Sequence, residues 1–75
     1  MMLNVTNNIG EPESKDILDL DLDMSIGMKD GKYVVNLNKN YKLYDTFLSK
    51  EDATFQMFSI ANARNKLEEE LREYM

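Results

Sequence analysis

Apolar and polar residues alternate strictly along residues 18–28. Leu18, Leu20, Leu22, Met24, Ile26 and Met28 hold the even positions, with Asp19, Asp21, Asp23, Ser25 and Gly27 between them. Successive side chains of an extended chain point to opposite faces, so this run predicts a half-buried strand with one apolar and one acidic side. A helix made from the same residues would scatter the aspartates around its circumference. The following Lys29-Asp30-Gly31-Lys32 contains the Asp-Gly pair favoured in two-residue hairpin turns. With Asp30 and Gly31 as the loop, Met28 faces Tyr33, Ile26 faces Val35 and Met24 faces Leu37. Further out, Leu22 meets Lys39, Leu20 meets Tyr41 and Leu18 meets Leu43. On the other face Ser25 meets Asn36, Asp23 meets Asn38, Asp21 meets Asn40 and Asp19 meets Lys42. A one-residue slip would mix the faces, so turn and pattern agree on one register. Lys39 is the single polar residue on the apolar face. The expectation is a long antiparallel hairpin; a break at residues 38–40 is the alternative, giving a three-stranded meander whose short third strand starts at Tyr41.

Period two gives way to a period of three and four after Ser49. Ser49 reads as a helix N-cap, with Glu51 and Asp52 in the first turn where the helix dipole favours them. Met57, Ile60, Arg64, Leu67, Leu71 and Tyr74 draw one stripe along a helix of residues 50–74, widened by Phe58 and Ala61. Met57, Phe58 and Ile60 read first as core against the hairpin, whereas Phe55 lies off the stripe and reads as an interface residue. Glu68 and Arg72 stand in the favourable order four residues apart. Glu68-Glu69-Glu70 opposes the dipole, which points to a fraying end or a cationic neighbour. Residues 1–14, rich in Asn and containing Gly10 and Pro12, read as an irregular arm in which Leu3, Val5 and Ile9 could rest on a neighbouring surface. The expected fold is therefore α+β: this arm, then a single ββα domain over residues 15–75, with a long C-terminal helix packed on one face of the hairpin.

A chain of 75 residues holds one domain. So thin a unit buries little, and with no cysteine to staple it the sequence points to stabilisation by a second chain, hence a homo-oligomer. Phe55, Phe58 and the open hairpin edges are the surfaces such a contact would use. Neither cysteine nor histidine occurs, which removes disulfide frameworks, most zinc and iron sites and the commonest general base. The serines have no histidine partner and the three glycines form no phosphate loop, so no enzymatic activity and no cofactor are expected. The net charge of −5 has the wrong sign for direct nucleic-acid binding. No segment is apolar over the length of a membrane span, and the first ten residues lack the features of a secretory leader; a cytoplasmic location is expected.

Charge is uneven. Residues 11–30 carry seven acids against two bases, and residues 31–50 carry four lysines against Asp45. Asp19, Asp21 and Asp23 have the spacing of the first ligands of a calcium loop, yet the sixth position of such a loop is Met24, where the turn requires glycine. No metal site is expected. As a row of like charges on one strand face, spaced much as phosphates are along a nucleic-acid strand, the aspartates are the best functional candidate. Two readings compete. In the first, the chain is a small acidic inhibitor or modulator that occludes a basic, nucleic-acid-handling protein, as phage and mobile-element products do to host enzymes. Asp19, Asp21 and Asp23 would be its electrostatic part, Phe55 and Phe58 its apolar anchor. In the second, it is a self-associating structural protein whose acidic face is merely solvated.

Overall fold

The turn at Asp30 and Gly31 forms as the sequence requires. Both residues have positive φ, 54° and 78°, the geometry of a type I′ turn, which matches the natural twist of a hairpin. From it run β3 (Ser25–Lys29) and β4 (Lys32–Asn36), paired antiparallel with Met28 opposite Tyr33, Ile26 opposite Val35 and Ser25 opposite Asn36. Register and faces are those read from the alternation. The computed structural model describes residues 1–73; Tyr74, assigned to the helix stripe above, lies outside the described residues.

Beyond Ser25 and Asn36 the expected hairpin ends. Regular pairing would join Asp23 to Asn38, but the Asp23 N–H donates to the Leu37 carbonyl, at 2.8 Å, one residue short. Asn38 explains the break. Its side-chain oxygen accepts from the N–H groups of Asn40 and Tyr41, and its amide donates to the Asp21 carbonyl. The Leu37 and Asn38 N–H groups in turn donate to the Tyr41 carbonyl. Residues 38–40 thus form a turn, Lys39 is exposed on it, and the chain returns as β5 (Lys42–Phe47) alongside β4. The meander, rather than the uninterrupted hairpin, is what forms.

The first fourteen residues are not an irregular arm. They contain β1 (Met2–Thr6) and most of β2 (Pro12–Asp16), an antiparallel hairpin with Leu3 opposite Lys15 and Val5 opposite Glu13. Leu3 and Val5 are buried while Met2 and Asn4 are exposed, a short run of the same period-two pattern. The intervening loop is closed by Asn7, whose side-chain oxygen accepts from the Ile9 and Glu11 N–H groups and whose amide donates to Glu13 at 2.7 Å. β1 then docks on β5, Val5 opposite Leu43 and Thr6 opposite Lys42. The result is a five-stranded antiparallel sheet of order β2-β1-β5-β4-β3.

That order places β2 and β3 at opposite edges, so the chain between them must cross the sheet. Four strand spacings of ~4.8 Å amount to ~19 Å, within reach of eight extended residues. Residues 17–24 make the crossing. They begin in a single 3-10 turn (Ile17–Asp19), capped by the Asp16 carboxylate accepting from the Leu18 N–H at 3.0 Å. Ile17 and Leu20 enter the core, with Leu18, Leu22 and Met24 packed against it, while Asp19, Asp21 and Asp23 stay exposed. The alternation therefore sets which side chains are buried, although no regular strand pairing accompanies it before Ser25.

The helix α1 (Lys50–Glu73) is capped by Ser49, whose hydroxyl accepts from the Asp52 N–H. It packs on one face of the sheet, against β3, β4, β5 and the 3-10 turn. Ala53 and Ile60 are buried, and Met57, Ala63 and Leu67 pack against the core, along the stripe read from the sequence. Ten apolar residues, drawn from β1, the crossing, β4, Leu37, β5 and α1, are buried. The expected shortfall of a ββα unit is thus filled from within the chain by strands the sequence left unassigned. The thinness argument for a second chain loses its premise. Among the described residues no helix is long and apolar enough to cross a membrane.

Candidate protein-binding surface

The crossing segment fixes the aspartates. Its even-numbered apolar residues are buried in the core or packed against it, and its odd-numbered carboxylates are turned to solvent. Asp19 sits in the 3-10 turn, and Asp21 and Asp23 follow in the irregular stretch. Among the described residues, none of these three carboxylates makes an ion pair or a side-chain hydrogen bond, in contrast to Asp16 and Glu13, which do both. Asp21 and Asp23 line a cleft of about 270 Å³ with Asn38, Lys39 and Asn40. Asp19 is not part of it. The structure brings two of the three candidates together beside a turn and leaves the third one step away along the chain.

Phe55 and Phe58 are both exposed, by 73% and 60%. For Phe58 this corrects the core assignment. At 100° per residue, Phe55 and Phe58 stand on the side of α1 opposite the stripe of Ala53, Met57, Ile60, Arg64 and Leu67, so both point away from the sheet. Leu48, just before the helix, is 83% exposed. Three large apolar side chains thus surround the start of α1 without belonging to the core.

Candidate chemistry is sparse elsewhere. The hydroxyls of Ser25, Ser49 and Ser59 are engaged by Asn36, the Asp52 N–H and the Phe55 carbonyl. Among the described residues no three His, Cys, Asp or Glu side chains converge as a metal would require. The sequence reading missed the sheet face that α1 leaves uncovered. There, Lys29, Lys32 and Lys42 border a shallow groove of about 430 Å³ with Asp30, Val34, Tyr44 and Thr46. Lys29 and Lys32 face each other across the turn, which the register already implied; the approach of Lys42 depends on β5 and could not be read from it. Comparison with protein-family models, with curated proteins and with solved structures returned no match.

Proposed function

We propose that this chain is a small non-enzymatic binding module that docks on a basic surface of a larger protein and occludes it. One observation supports this above the rest: Asp19, Asp21 and Asp23 are exposed and unpaired among the described residues while every apolar residue between them is committed to the core. Like charges in close succession repel and are answered most readily by a cationic surface. Phe55 and Phe58 supply exposed aromatic area of the kind that dominates binding energy at interfaces. A partner that handles nucleic acid offers a basic groove spaced for a row of anions. A cytoplasmic inhibitor of the phage or mobile-element kind fits that role.

The test is affinity capture from cell extract with wild-type chain and with the triple variant Asp19→Asn, Asp21→Asn, Asp23→Asn, circular dichroism confirming that both are folded. Loss of a captured basic protein in the variant supports docking through the carboxylates, and undiminished capture removes that reading. The exposure of Phe55 and Phe58 also favours a second reading, self-association with the carboxylates merely solvated. In that case Phe55→Asp dissociates an oligomer and neutralising the aspartates changes no binding.

A further inference from the structure

The two edges of the sheet are built differently. In the β1–β2 hairpin, the Ile17 N–H donates to the Met1 carbonyl and the Asn7 N–H to the Glu11 carbonyl. These bonds fix the pairs that share hydrogen bonds, so the backbone groups of Pro12, Ser14 and Asp16 face the free edge of β2. Pro12 has no N–H to offer, and charged Glu13, Lys15 and Asp16 flank what remains, as on edges guarded against pairing. In the β3–β4 hairpin, a two-residue turn makes Lys29 and Lys32 a hydrogen-bonded pair, followed by Gly27 with Val34 and Ser25 with Asn36. The N–H and C=O groups of Ile26 and Met28 therefore face outward from β3. This edge has no proline and one charge, Lys29, at its end, and Met28 is 64% exposed.

We propose that β3 pairs with β3 of a second copy of this chain, antiparallel and with Gly27 opposite Gly27, giving a two-fold dimer with a continuous ten-stranded sheet. The strand is its own complement in that register. Ile26 of each copy forms a hydrogen-bonded pair with Met28 of the other, uniting all four outward-facing residues, and their apolar side chains meet on the helix-bearing face. Lys29 faces Ser25 of the second copy rather than its own counterpart, so no like charges are set opposite each other. At the two-fold axis glycine carries no side chain to obstruct the approach. Centring the pairing on Met28 would set Ile26 against Asp30; centring it on Ile26 would require Met24 and Asp23, where β3 has already left regular pairing. An isologous contact of this kind closes on itself and does not propagate, because the β2 edge is the guarded one. The inference is independent of the acidic docking surface.

The chain has no cysteine, so one introduced thiol reports the register directly. A Cβ at Gly27 would come within 3.2 Å of the Asn36 side-chain amide, whose flexible end can yield. In the proposed pairing the two residue-27 Cα atoms lie ~4.5 Å apart, within disulfide range. Gly27→Cys is expected to oxidise to a covalent dimer, and Ser14→Cys on the other edge is not. Light scattering of the wild-type chain is expected to show a dimer. Met28→Pro, which removes an outward N–H and no bond within the chain, is expected to raise its Kd at least about tenfold with unchanged circular dichroism. A wild-type monomer at the highest soluble concentration overturns the proposal, whether or not the edge receives another protein's strand. So does equal cross-linking of the two cysteine variants. If Met28→Pro fails to fold, the cysteine pair decides alone.

Discussion

The two hairpins of this sheet hold their shape by different means. In β3–β4 the information is local: an Asp-Gly turn with both residues at positive φ, flanked by alternating residues whose register the turn dictates. In β1–β2 it is distributed. β2 presents no apolar residue to the core beyond what Lys15 contributes by lying over the Tyr41 ring, 5.3 Å from its centre, and the loop is closed by one asparagine. The hairpin is kept in place by what surrounds it: Val5 and Thr6 paired with β5, Asn8 meeting Asn40, and Ile17 buried directly after β2. A local turn can be recognised from four residues. A hairpin held by remote partners cannot.

The largest effect expected from that difference is at Ile17, which is fully buried and anchors the end of β2 as the chain turns to cross the sheet. Ile17→Ala is expected to cost roughly 2–5 kcal/mol in urea unfolding. Its hydrogen exchange should rise first in β1 and β2, with β3 and β4 retaining protection longer. Preferential loss of protection in β3–β4 would mean that the two hairpins are not distinguished in this way.

That contrast also explains how much could be read beforehand. The helix, its Ser49 cap and its Met57–Ile60–Leu67 stripe follow from spacing alone, and they form as read. So does β3–β4. The run at residues 18–24 was legible in part: period two fixes which side chains are buried but not whether the backbone finds a strand to pair with. Here it crosses over a sheet two of whose strands carry little signal of their own. β2 is Pro-Glu-Ser-Lys-Asp, an edge strand with almost nothing to bury, and Asn7 and Gly10 look like disorder until the Asn7 side chain is seen closing the loop. Phe58 adjoins Met57 and Ile60 in the sequence but stands on the opposite side of α1, and a sheet covers only one side of a helix.

Smaller effects sharpen the comparison. Asn7→Ala removes two acceptor bonds and one donor bond made by a half-buried side chain that closes an exposed loop, and is expected to cost about 1–2 kcal/mol, confined to β1–β2. Gly31→Ala places a Cβ at φ 78° and is expected to cost about 1 kcal/mol, by loosening the β3–β4 turn. Measured by thermal unfolding and residue-resolved exchange, the two variants should disturb different hairpins.

The account depends most on the crossing segment offering its carboxylates to solvent rather than using them in the fold. The direct measurement is the unfolding free energy of the triple variant Asp19→Asn, Asp21→Asn, Asp23→Asn at low ionic strength. Since none of the three carboxylates has a partner among the described residues, the variant should match the wild type within about 0.5 kcal/mol or exceed it as repulsion is relieved. A loss of about 2 kcal/mol or more would show that the aspartates hold the crossing in place, leaving no surface free for a partner.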